Sequence, residues 1–459
     1  MSTAHSSRLG LAWTRVRDSL WFLPTLAVVI GGVLAFVAVQ VPTPSPESRF
    51  ARVWLFGGGA EGARGVRSAI AGSLITVTGT VFSVTIVALQ LASSQFTPRV
   101  LRSFVADRVN QAVLGVFIGT FTYTLLVLRT IHSPRDGMQT FVPQVGVIIA
   151  LLLLLVSIAA LILFINHSAQ SIRVSIILHR ETRRTLGQIA EIFPESTGEP
   201  APGTHAGGPR ERQEDLRDVT PEGEPATVAA TESGYVQSVH AETLWRAGGG
   251  QRDPLTIRMD LHVGTFAFRG KTLVSVWPAQ RVTDDVARLI RAAFVLAPER
   301  TPEQDVEFGL VEISDIGVKS LSPGINDPTT AMRCIDRLTE LLAALSTRQR
   351  PATVRSSPDR SVRLLTRDTS FERAVGLAFD QIRHYGASNP GIAKKLLESL
   401  GELGGIVPVA LRHVVAEQVK AVTRAARREI ADEGDLALVE QLAASVTAAV
   451  QNPLSRSMK

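Results

Sequence analysis

The run VGVIIALLLLLVSIAALILFI, residues 145–165, decides the class of this chain. It carries no charged side chain. A helix rises about 1.5 Å per residue, so some 20 residues cross the roughly 30 Å hydrocarbon core of a bilayer. In that medium each backbone N–H and C=O needs a partner within its own segment, which leaves a single run only the helix. Moving outward, three earlier runs meet the same condition: Leu20 to Val41, Ala69 to Ala92 and Ala112 to Ile131. Residues 20–166 therefore read as a four-helix transmembrane domain, with its fourth span from Val145 to Ile165. The first run is too long for a signal peptide, and no small-x-small cleavage site precedes the Pro-rich residues 42–46.

Lysine and arginine near the span ends set orientation. Arg8, Arg15, Arg17, Arg99, Arg102, Arg108, Arg173, Arg180, Arg183 and Arg184 fall on one side, ten in all. Arg49, Arg52, Arg64, Arg67 and Arg135 make five on the other. Both termini, including residues 1–19, are then expected in the cytosol. Arg129, near the outer end of the third span, is read as the one strongly basic residue inside a span, placed to snorkel.

The chain has 459 residues and a formal net charge of +6, from 48 basic and 42 acidic side chains. Such an excess suits a surface on anionic lipid. It lacks the basic stripe with interleaved aromatics that nucleic-acid binding asks for. The single cysteine, Cys334, excludes an internal disulfide and a cysteine-based metal site, and reads as a small buried residue.

The second span, SAIAGSLITVTGTVFSVTIVALQLASS at residues 68–94, is unusually polar. Ser73, Thr76, Thr80, Ser83 and Gln90 step by three, four, three and seven, which puts them on one stripe of a helix. Two readings stay open. The hydroxyls bond their own i−4 carbonyls while Gly72 and Gly79 permit close helix packing, or the stripe lines a conduction path between copies. After this span, Thr97 and Pro98 read as a cap and first turn for an amphipathic interfacial helix, RVLRSFVADRV at residues 99–109.

Beyond the membrane, residues 167–193 read as a juxtamembrane helix. Residues 194–225 are rich in Pro, Gly, Glu and Thr and read as a disordered linker. Residues 226–278 alternate as short strands do, a small β module. Its phrase VGTFAFRGKTLVSVW, residues 263–277, resembles half of the barrel-sandwich fold of biotinyl and lipoyl domains. No lysine stands in the Met-Lys-Met context of the modified site, so the phrase implies a structural or docking module. Residues 279–459 read as a helical domain. The fold class expected is thus a mainly α membrane protein with a cytosolic α+β region.

The stretch RTPEQDVEFGLVEISDIGVKSLSPGINDPTTAMRCIDRLTELLAAL, residues 300–345, is the most distinctive. A helix is expected from Pro302 to Leu321, with Val306, Leu310, Ile313 and Leu321 on one face. Asp305, Glu312, Asp315 and Lys319 are expected on another, with Asp315 and Lys319 spaced to pair. Ser322, Pro323 and Gly324 break the chain, and Asp327 with Pro328 starts the helix to Leu345. Asn326 and Asp327 are candidates for a ligand or cation at that helix start; turn and cap chemistry is the competing reading. Asp305, Asp315, Ser322, Pro323, Gly324, Asn326 and Asp327 together form a candidate ligand or interface motif. Farther on, Phe371, Val375, Ala378 and Ile382 make a core-facing stripe, and the histidines 384 and 413 stand alone.

SPGINDP (322–328), FG (308–309) and SDI (314–316) follow four spans in this chain. With SVTIVALQLASSQFTPR (83–99), GVFIGTFTYTLLVLR (115–129) and RTPEQDVEFG (300–309), they resemble a bacterial membrane-protein family, domain of unknown function 2254. The resemblance implies a multi-pass protein of the bacterial plasma membrane and no particular activity. Phosphate-loop, H-E-x-x-H, G-x-S-x-G and dinucleotide fingerprints are absent from the sequence. No catalytic residue, metal ligand or cofactor is assigned, and enzyme activity is not favoured. Two functions follow as expectations. One is a homo-oligomeric channel or transporter with a cytosolic regulatory domain. The other is a membrane-anchored sensor or scaffold that binds a partner, small ligand or ion.

Overall fold

The computed structural model describes residues 21–41, 59–95, 107–130, 144–171, 173–193, 221–248, 255–349, 354–357, 362–366 and 370–451. The chain forms two compact units, residues 1–176 and 177–459. The proposed interfacial helix after Thr97 and Pro98 lies for the most part outside the described residues, as does nearly all of the 194–225 linker.

The N-terminal unit holds α1 (Phe22–Gln40), α2 (Gly59–Gln95), α3 (Arg108–Arg129) and α4 (Gln144–Ser171). Each contains a stretch long and apolar enough to cross a membrane: Phe22–Gln40, Gly65–Val87, Arg108–Arg129 and Val145–Ser168. The third is the central helix, half buried, and packs against α1, α2 and α4. Small residues set the closest approach. A Cβ added at Gly31 of α1 would stand 2.6 Å from the Gly119 carbonyl oxygen, and one at Gly119 would meet the Ala27 backbone at 3.0 Å. In hydrocarbon such small-residue contacts are a main source of helix association. They fall at Gly31, Gly115 and Gly119 rather than at Gly72 and Gly79, beside which nothing lies within 4 Å. The sequence expectation for those two glycines is thereby corrected for the single chain.

The C-terminal unit begins within α5 (Val174–Ile192); α4 ends at Ser171, so the helix expected over 167–193 falls in two helices. Its strands are β1 (Ala226–Ala229), β2 (Gly234–Val239), β3 (Leu255–Met259), β4 (Phe266–Ala267), β5 (Thr272–Trp277), β6 (Phe294–Ala297), β7 (Val354–Ser356) and β8 (Val362–Leu365). Between them lie α6 (Ala241–Arg246) and α7 (Asp284–Ala293). A five-stranded sheet runs β1-β5-β3-β8-β7 and a three-stranded sheet runs β4-β2-β6. The β3–β8 pair is parallel, with Ile257 opposite Leu364, and every other pair is antiparallel. Strands from beyond residue 278 therefore complete both sheets, and the region 279–459, expected to be helical, contains β6, β7 and β8. Val236, Leu255, Ile257, Val276, Ile290 and Val362 close one core between the sheets and α7.

Helices α8 (Val306–Ser320), α9 (Pro328–Ser346), α10 (Phe371–Gly386), α11 (Pro390–Ile406), α12 (Arg412–Glu429) and α13 (Glu433–Gln451) build the rest. The expected core stripe on α10 is buried at all four positions, Phe371, Val375, Ala378 and Ile382. It closes on α8, where a Cβ at Gly317 would stand 2.9 Å from Ile382 and 3.2 Å from Cys334.

Candidate functional site

On α2, Ile70, Leu74 and Val81 pack inward against Val113, Phe117 and Phe164. Ser73, Thr76, Thr80, Ser83 and Gln90 are all exposed, together with Gly72 and Gly79. The stripe therefore lies on the outside of this four-helix unit. Three of its hydroxyls donate within their own helix: Ser73 to the Ile70 carbonyl at 2.9 Å, Thr76 to Gly72 and Thr80 to Thr76 at 3.0 Å each. Back-bonding removes most of the cost of placing a hydroxyl against lipid. Both features of the sequence reading, satisfied hydroxyls and a shared stripe, coexist.

Arg67 departs from expectation. It lies inside the apolar span of α2 and is fully buried, within electrostatic reach of Tyr123. Tyr123 is itself fully buried and donates to the Gly146 carbonyl at 3.0 Å. Arg129, by contrast, is the exposed last residue of α3. The basic residue held within the membrane unit is thus Arg67, which sequence reasoning had counted as a flanking charge. Its signal was the apolar run that begins directly after it, at Ala69.

In the C-terminal unit, α8 starts at Val306, and Asp305 is its cap rather than part of a helical acidic face. Its carboxylate accepts from the Phe308 N–H at 3.0 Å and from Arg300 Nη2 at 2.8 Å. Glu307 receives both arms of Arg373 at 2.7 and 3.0 Å. Glu312 accepts from Arg184 of α5, which also lies 2.6 Å from Glu181. These four carboxylates are each about 4% exposed or less. Such charges persist in an interior only when paired. Gly264, at φ +85°, admits this packing, because a Cβ there would overlap Asp305 and Arg300. His262 sits at the exposed rim; loss of water on its inner edge, partly offset by Glu307, holds its imidazole below the ordinary value.

The 322–328 connector lies at the other end of α8. Asp327 caps α9, accepting from the Thr330 N–H at 3.1 Å and from its hydroxyl at 2.6 Å. Those bonds hold the Asp327 carboxyl below the usual carboxylate range. Pro328 fills the first turn, Ser322 donates to the Lys319 carbonyl at 2.7 Å, and Asn326 takes φ +48°. Pro323, Gly324 and Asn326 are exposed, while Asp315 is half-buried on α8. Asp305 stands at the opposite end of α8 from Asp327, so the structure does not gather the candidate motif into one pocket. No group of three His, Cys, Asp or Glu side chains able to hold a metal occurs among the described residues. Sequence reasoning missed the buried carboxylate and arginine network because its members come from α5, the 298–305 turn, α8 and α10, far apart in the chain.

The family model described as predicted membrane protein, domain of unknown function 2254, matches residues 17–402. Two relatives are the uncharacterized protein Rv1290c of Mycobacterium tuberculosis and the uncharacterized protein Mb1321c of Mycobacterium bovis. Each is 35% identical over 449 residues, covering 95% of this chain and 82% of its own. No solved structure matches the chain.

Proposed function

The chain belongs to that family of predicted membrane proteins, and from this premise we propose that it is a homo-oligomeric channel or transport protein with a cytosolic regulatory region. The observation that carries the reading is the outward placement of Ser73, Thr76, Thr80, Ser83 and Gln90 on α2. Three helices, α1, α2 and α4, pack on α3, and with the stripe on the outer face of α2 the polar path of this reading forms between copies. The adjoining glycines, with open space around them, favour close approach of a second helix. In this reading the protein sits in the bacterial plasma membrane with both termini in the cytosol, consistent with the arginine asymmetry.

Ion flux across liposomes holding the full-length protein tests it. Wild-type flux should vanish when Thr80 and Ser83 are both replaced by leucine, while the oligomer persists. Unchanged flux in that variant rejects the stripe as lining. Absence of flux in the wild type favours the second reading, a membrane-anchored sensor or scaffold. What supports that alternative is the exposed Pro323, Gly324 and Asn326 surface on a rigidly capped connector.

A further inference from the structure

The first turn of α3 carries polar groups that have no partner among the described residues. Asn110 and Gln111 are each 1% exposed. The oxygen and nitrogen of both carboxamides are buried with no hydrogen-bond partner. Buried amides are paired in the great majority of native structures, so four such atoms together point to an occupant. Asp107 precedes them by three and four residues, on the same side of the turn. One of its oxygens accepts from the Val109 N–H at 2.9 Å, and the other lies 2.7 Å from Nε2 of His167 on α4. The Asp107 side chain is 7% exposed.

We propose that the N-terminal end of α3, where it meets α4, binds a small monovalent cation, sodium or potassium, through Asp107, Asn110 and Gln111. The donor set is one carboxylate and two carboxamide oxygens, the hard ligands such ions take. A multivalent or soft metal would call for more charged or nitrogen and sulfur ligands, and no such cluster occurs among the described residues. The cation satisfies the two carboxamide oxygens, and water that it retains accepts from the two amide nitrogens. The helix dipole at this end opposes a cation, and the Asp107 carboxylate supplies the charge that offsets it. The site lies within one protomer and does not depend on the stripe of α2.

Thermal unfolding of the full-length protein in lipid nanodiscs provides the test, with sodium or potassium chloride replacing N-methylglucamine chloride at constant ionic strength. The wild-type Tm should rise saturably with one of the two ions. Asp107→Asn keeps an acceptor for Val109 and removes the charge; it should need about tenfold more ion, or worse, for the same shift. The double variant Asn110→Leu, Gln111→Leu should lose the shift. A wild-type Tm indifferent to the cation overturns the site, as does an equal shift in wild type and Asp107→Asn. Asp107→Asn decides the matter even where the leucine variant does not fold. The readout needs no flux, so failure of the pore reading leaves this result standing.

Discussion

In the C-terminal unit Glu307 is gripped by both arms of Arg373, and Glu312 and Glu181 share Arg184. In the N-terminal unit Asn110 and Gln111 are as deeply buried, yet none of their carboxamide atoms has a partner among the described residues. The same contrast holds at the surfaces. Asp327 spends its carboxylate on capping α9, whereas the α2 stripe is exposed, with its two glycines touching nothing. The paired carboxylates of the C-terminal unit thus complete its own fold. The Asn110 and Gln111 carboxamides of the N-terminal unit leave valences open, and open valences in a low-dielectric setting are where ions, water or a second helix are taken up.

The largest effect that sharpens this comparison is expected at Arg184. Arg184→Met removes the arginine that two buried carboxylates, Glu181 and Glu312, share. Breaking a buried pair from one side costs about 3–5 kcal/mol, and the lower end applies because Arg184 is 34% exposed. Adding Glu181→Gln and Glu312→Gln in the same chain should recover most of the loss. Chemical unfolding followed by tryptophan fluorescence measures both. A loss below about 0.5 kcal/mol for the single change would remove the claim that this unit depends on its pairing.

Next comes the packing of the membrane helices. Gly31→Ala forces a methyl to 2.6 Å from the Gly119 carbonyl oxygen, a backbone atom that cannot swing aside. Overpacking of this kind costs about 1–3 kcal/mol. Gly72→Ala and Gly79→Ala meet open space, so protomer stability should change by less than about 0.5 kcal/mol. If copies associate through α2, the same two changes lower the oligomer fraction in native mass spectrometry. An equal response at Gly31 and Gly72 would erase the distinction between a filled and an unfilled surface.

How much of this was legible in the sequence depended on range along the chain. The four spans, the α10 stripe and the Asp327–Pro328 helix start follow from hydrophobic period and cap chemistry, both local. So did the stripe on α2, because five positions on one helix need no partner to be aligned. Asp305 was misassigned because a capping aspartate and a first-turn helical aspartate look alike without the Phe308 N–H that the carboxylate accepts. Arg67 was placed outside its span because positive charge near an apolar run reads as a flank, while its burial depends on α3 being packed alongside. The strand β8 pairs in parallel with β3 across roughly a hundred residues, and no local pattern carries that partner.

Asp327 tests a cap that was foreseen. Asp327→Ala should cost about 1 kcal/mol. Its carboxyl titrates below the ordinary range in the folded protein because Thr330 donates to the charged form. The stabilisation is therefore present above the unfolded value, 3.8, and is lost as pH falls through the lower folded value. The acid limb of a Tm-against-pH curve should flatten in Asp327→Asn. An unchanged limb would mean that other carboxylates dominate there.

Cys334 separates the two units by the smallest effect, none at all in the native state. It is fully buried on α9, facing Gly317 of α8. Burial, assisted by the Asp327 charge, pushes its thiol well above the usual range. Only the thiolate attacks a maleimide, so both access and ionisation forbid the reaction. Folded protein should stay unlabelled at neutral pH while urea-unfolded protein takes up one label per chain. Native labelling at the unfolded rate would show that α8 and α9 open readily. The connector between them would then be a hinge.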